Sequence, residues 1–315
     1  NTWTAMNSGT TNSLTGVWGS SSSDVFAVDT SGTILHYDAN TWTVMTSMTS
    51  TVLYDVWGSS DSDVFAVGFT QTYSDTMIYS GTILHYDGNT WTAMNSGTTN
   101  SLTGVWGSSS SDVFAVGTSG TILHYDGNIW TAMDSGTNSS LSAVWGSNSN
   151  DVFVVGTVPS VSSGGMILHY DGDKWTAMTG LMNNKLTDVW GSSGSDVFAV
   201  GFTETYSSTY TSISSTILHY DGSIWRFMDS DAAIGLTSIW GSSSNNVFAM
   251  SERGTILHYI GSTWMATNSG TNATLSDVWG SNANDIFAVG GKGTILHYEG
   301  KTAPSISVYL PLIAR

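Results

Sequence analysis

The chain has no cysteine, which excludes a disulfide framework, thiol catalysis and a zinc site built on thiolates. It is poor in charge, with 10% charged residues against the ~25% of an average soluble domain. Basic residues are scarcest: seven Lys and Arg stand against 24 Asp and Glu, for a net charge of −17. So few cations cannot neutralise a phosphate backbone or an anionic lipid surface, so nucleic acid is excluded as a partner and an anionic membrane surface is disfavoured. No apolar run approaches the ~20 residues of a membrane span, so no membrane insertion is expected. No stretch holds a 3.6-residue hydrophobic period, so no helix is expected. The chain opens at Asn1 rather than Met, which reads as a processed product or a fragment.

What is present is repeated. All seven His lie in the tripeptide Leu-His-Tyr: His36, His85, His124, His169, His219, His258 and His297. Seven of the 14 Trp precede Gly: Trp18, Trp57, Trp106, Trp145, Trp190, Trp240 and Trp279. Six others follow a His by six residues, from Trp42 to Trp264. Trp3 is the seventh of this set, and its His can only be His297 at the far end of the chain. Seven repeats averaging 45 residues have the period of propeller blades. Residues 1–28 and 89–116 are identical, so the unit spread by duplication.

One repeat, residues 102–136, holds four short β-rich runs separated by turn clusters. The turn at Asp126-Gly127 is a hairpin signal of type I′, because Gly tolerates positive φ. Four such strands form one antiparallel blade, named A to D from the central shaft outward. A blade cannot bury both faces alone, and seven in a ring bury them all. The expected fold is therefore all-β, a seven-bladed β-propeller over residues 1–302. Residues 1–8 supply the missing strand D of the last blade, and 303–315 form an apolar tail.

The Asp-Gly turn ahead of Trp (Asp87 to Trp91) resembles a shortened Asp-box of BNR-type propellers. The Val-Trp-Gly and Phe-Ala-Val-Gly runs resemble tectonin repeats of propeller lectins. The resemblance spans residues 1–300 and implies an extracellular, sugar-related or adhesive role. Sialidases with Asp-boxes need three converging arginines, whereas this chain has Arg226, Arg253 and the terminal Arg315.

Features that repeat in every blade read as structure. A lone His per blade is too far from the next to share a zinc ion, and is expected to bond within its own blade. The carboxylates ending the A–B turns (Asp24, Asp63, Asp112, Asp151, Asp196, Asp285) are too sparse for calcium loops and are expected to close their own turns.

Features that break the repeat point to function. Length varies only between strands B and C: the Phe-to-His span is 10 residues in four blades but 20, 16 and 21 in the second, fourth and fifth. The second and fifth loops carry Tyr73, Tyr79, Tyr206 and Tyr210 among Ser and Thr, a composition suited to ligand binding. Asp55, Asp188 and Asp277 share one position on strand A, where other blades have Gly, Ala or Ser. They are expected at the shaft mouth as ligands for a cation or a hydroxylated molecule. In the tail, Val308, Tyr309 and Leu310 form an apolar strand that could mediate self-association.

The leading expectation is a secreted, non-catalytic module that recognises a glycan or a cell-surface protein through the B–C face, without cofactor or metal. A self-assembling extracellular structural protein is the first alternative. A carbohydrate-active enzyme is the second, with Asp55, Asp188, Asp277 and Glu204 as its available carboxylates.

Overall fold

The computed structural model describes residues 2–47, 51–73, 77–158, 164–178, 184–206, 211–230 and 232–300. Each repeat becomes one sheet of four antiparallel strands, and seven such sheets are present. In the third blade, strand A is Leu102–Ser109, B is Asp112–Gly117, C is Ile122–Tyr125 and D is Trp130–Met133. Strand B lies between neighbours on both sides and between blades on both faces. Its Val113, Phe114, Ala115 and Val116 are all buried, which is why this run is continuously apolar rather than alternating. Strand D is the outer edge, where Trp130 and Met133 face inward in part and Thr131 and Ala132 are exposed. Among the described residues the helical content is two single 3-10 turns, Thr118–Gly120 and Gly291–Gly293, both in short B–C links.

Two aromatic contacts join each blade to the next. The Phe of strand B meets the strand-D Trp of the following blade edge to face, as Phe114 meets Trp175 at 6.2 Å and 83°. The strand-A Trp lies over the Gly of the next Trp-Gly pair. A Cβ on Gly107 would come within 2.6 Å of the Trp57 ring, so only glycine fits beneath it. The Trp-Gly dipeptide is therefore half of two locks, its Trp reaching forward and its Gly receiving the previous blade.

The ring closes as the register required. Strand D of the seventh blade is Thr2–Met6, paired with Thr294–Glu299 so that Trp3 stands opposite Tyr298. The locks continue across the closure: Trp3 is edge-on to Phe248 at 6.3 Å, and Trp279 lies over Gly19.

The C–D turn differs from the expected type I′. Tyr125 pairs with Trp130, which leaves a four-residue loop. Gly127 has φ +88° but Asp126 is not in the left-handed region. Asp126 instead folds its carboxylate over the loop and accepts the N–H groups of Asn128 and Ile129, both at 2.9 Å. The Asp side chain does the work that a second positive φ would otherwise do. In the first blade Ala39 takes the glycine position at φ +72°.

Candidate functional site

The most numerous polar constellation is a Ser–Asp–His chain in every blade but one. Ser20 Oγ donates to Asp24 at 2.6 Å, and the other carboxylate oxygen is 2.6 Å from His36 Nε2. Each turn carboxylate thus closes its own A–B turn through the serine, as expected, and in addition reaches the His of strand C. In the sixth blade Asn246 replaces the carboxylate and accepts from His258 Nε2 at 2.6 Å. These are the residue types of a hydrolytic triad in the wrong order. Serine donates to the carboxylate and not to the imidazole, so no nucleophile meets a base. The His does bond within its own blade, as its solitary place in the repeat implied.

Asp55, Asp188 and Asp277 do gather at the shaft. Strand A is the inner edge of every sheet, and it turns unpaired N–H groups toward the lumen. Each of these carboxylates takes two of them. Asp55 accepts from its neighbour Val56 and from Val105 of the next blade, both at 2.8 Å. Asp188 does the same with Val189 and Ile239, and Asp277 with Val278 and Val17, again at 2.8 Å. Three aspartates therefore serve six blades. In the fourth blade Ala143 takes the position, and among the described residues no side chain accepts from Val144. Threonines one residue earlier add a second set of bridges: Thr15, Thr103, Thr187 and Thr237 donate to the Leu carbonyl of the following blade at 2.6–2.9 Å or, for Thr187, 3.0 Å.

The lumen they enclose is polar and small, about 100 Å³. Each carboxylate is partly open to water in the lumen, yet ringed by protein in every direction. Burial pushes Asp188 up to about 7, helped by the charge of Asp277. Burial likewise raises Asp277 to about 6 and Asp55 well above the usual carboxylate range. The geometry has its own sign of a retained proton: Ser238 Oγ lies 2.8 Å from Asp188 and 2.7 Å from Asp277. One hydroxyl has one hydrogen, so both contacts are bonds only when one carboxyl is protonated and donates to the serine oxygen. Among the described residues no three His, Asp or Glu side chains converge to hold a metal ion.

The B–C insertions are ribbons. In the second blade strands B and C run on as Asp63–Tyr73 and Met77–Tyr86, and in the fifth as Asp196–Tyr206 and Thr211–Tyr220. Their bases are built in: Tyr54 stacks on Phe69 at 6.1 Å, and Lys185 donates to Glu204 at 2.6 Å. The second ribbon exposes Met77, Ile78 and Tyr79 in a row, at 47%, 51% and 47%. Tyr73 and Tyr206 end their strands with side chains outside the description, and Tyr210, Val308, Tyr309 and Leu310 lie outside the described residues. Arg226 pairs with Asp221 on the outer edge.

No protein-family model matches the chain, and no curated protein matches it. Among solved structures it is similar to YCF48 bound to a D1 peptide, at 14% identity and TM-score 0.72 over 96% of this chain and 98% of that one. It is similar to YCF48 from Cyanidioschyzon merolae at 15% identity and TM-score 0.69, over 95% and 99%. The WD40 β-propeller domain of Doa1 matches at 12% identity and TM-score 0.73, over 95% and 96%. At these identities the likeness establishes a propeller fold, and the Asp-box and tectonin resemblances are left at that level.

Proposed function

We propose that the chain is a non-catalytic binding module that meets a partner at a cell surface through its B–C face. The observation that carries this reading is the pair of long ribbons from the second and fifth blades, three blades apart and on opposite sides of the shaft. One of them exposes Met77, Ile78 and Tyr79 to solvent, Met77 and Tyr79 on one face of the strand and Ile78 on the other. Apolar side chains left exposed on both faces of a ribbon are poorly explained by packing and well explained by contact with another surface. A polypeptide suits these apolar side chains better than a glycan does. The structurally similar YCF48 was solved with a peptide, so the architecture accommodates that class of ligand. The polar centres of every blade bond to one another rather than toward a substrate, which weighs against an enzyme.

The test replaces both ribbons by the short link of the third blade. Binding to intact cells is then followed by flow cytometry, and ligand class by parallel peptide and glycan arrays. The variant should keep its melting temperature and lose cell binding and its array signal. Equal cell binding by the shortened and intact proteins would refute the reading. A signal confined to the glycan array would move the proposal from protein to sugar.

A further inference from the structure

Six of the seven strand-D segments carry a Met three residues after the Trp: Met6, Met45, Met94, Met133, Met178 and Met228. Each packs beside the strand-D Trp of the next blade, within that junction's core. At the fifth blade the contact is close enough for Trp225 Nε1 to donate to Met178 Sδ at 3.3 Å. The sixth blade breaks the rule with Thr267, whose hydroxyl turns to its own sheet and donates to the Ile256 carbonyl at 3.2 Å. No strand-D methionine joins Trp3 in that junction's core, whose one methionine is Met250 of strand B, buried where the other blades have Val.

The result is a slot beside Trp3. Between the sixth and seventh blades a cavity of about 530 Å³ reaches down to Phe248, His258 and Tyr298, with Trp3 as its wall. The equivalent groove between the seventh and first blades, where Met6 is in place, measures about 300 Å³ and stops at Trp42. A second departure borders the same cavity. Asn246 replaces the carboxylate found in the other blades, so His258 is held by a neutral amide. The imidazole lies flat on Phe248, 4.1 Å between centroids and 8° between planes, and burial lowers its tendency to protonate. No acidic or basic side chain other than this imidazole lines the slot, so its complement is a neutral group.

We propose that this slot is a binding site for an unbranched apolar side chain, methionine in the first place, presented by a partner polypeptide. The six sister junctions show the occupant, because the same Trp, Phe and Tyr surfaces hold a Met side chain there. The thioether is flexible and polarisable, and favours contact with aromatic rings. A β-branched side chain lacks the reach, and a carboxylate would be desolvated without a partner. This site lies on the outer strands, apart from the B–C ribbons, and does not depend on them.

The test titrates the full chain with the amide of N-acetyl-methionine, read by saturation transfer from protein to the probe's ε-methyl group. The norleucine analogue should bind within a few fold, and the valine and glutamate analogues at least tenfold more weakly. Thr267→Met refills the slot from within; it should abolish binding while the melting temperature holds or rises. Met6→Thr should open a second slot against Trp42 and add a second set of transfer signals. Equal probe binding by the original chain and by Thr267→Met, or no binding by either, would overturn the proposal. Deleting residues 301–315 is a separate arm. If the probe binds only after that deletion, the chain's own tail fills the slot and the partner assignment falls.

Discussion

The three shaft carboxylates should make this acidic protein lose stability as pH rises from about 4 to 8. Their pKa values are raised by folding, Asp188 to about 7 and Asp277 to about 6 from the usual 3.8, and Asp55 in the same direction. Across that window the folded chain binds more protons than the unfolded one, so each added pH unit favours unfolding. At ~1.36 kcal/mol per pKa unit, full ionisation would cost about 4 kcal/mol at Asp188 and about 3 at Asp277. Water in the lumen screens part of this, and about 3–4 kcal/mol in total is the expected loss. His258 acts in the opposite sense below its usual 6.5, since burial disfavours its protonated form, but it is one group. The exposed turn carboxylates Asp38, Asp87, Asp126, Asp171 and Asp221 have lowered values, held by backbone N–H groups. Their contribution is present above about pH 4 and is lost only below that.

Differential scanning calorimetry at pH 4.5 and pH 8 should therefore show a melting temperature lower at pH 8 by roughly 4–6 °C. General repulsion within a chain of net charge −17 would act in the same direction. It is screened at ~1 M salt, whereas charges packed against one another in the lumen are screened much less. The Asp188→Ser variant separates the two, since serine already occupies this position at Ser238. It gives up two N–H acceptors and should be less stable at pH 4.5 by ~1–3 kcal/mol. It should also show a smaller fall between the two pH values. A melting temperature that is flat or rising from pH 4.5 to 8 in high salt would refute the account of the lumen.

The Trp-Gly lock predicts that Gly107→Ala costs ~2–3 kcal/mol by overpacking against Trp57. Gly97→Ala, at φ +66° with nothing within 4 Å, should cost only the ~1 kcal/mol of its backbone conformation; urea denaturation measures both. Ala39→Gly should stabilise the first blade by ~0.5–1 kcal/mol through relief at φ +72°, seen as a higher urea midpoint. In the third blade Asp112→Asn keeps an acceptor for His124, as Asn246 does for His258, and should lower the melting temperature little. Asp112→Ala leaves the imidazole and Ser108 without their shared partner and should cost about 2 kcal/mol.

Much of the architecture could be read from counting. Seven Leu-His-Tyr and seven Trp-Gly pairs name the blades, and Trp3 without a nearby His names the closing strand. The confinement of length changes to one loop locates the ribbons. Contacts between blades were less legible. Nothing in the spacing told that Asp24 reaches His36, although both occur once per blade. The shaft aspartates stand out in the sequence by breaking the repeat, but the two backbone N–H groups that each accepts, one of them from the next blade, are visible only in the structure. The slot beside Trp3 has its sequence signal in the change from Met to Thr at position 267.

The division has a physical cause. Residue type and period determined the strands, the number of blades and the circular register, because hydrophobic alternation and turn chemistry act over a few residues. Ring closure decided the rest. It brings Asp277 to Val17 across 260 positions, sets Trp279 over Gly19, and compresses three carboxylates into one lumen where burial raises their pKa values. Such meetings depend on the curvature and stagger of packed sheets, which no single repeat encodes.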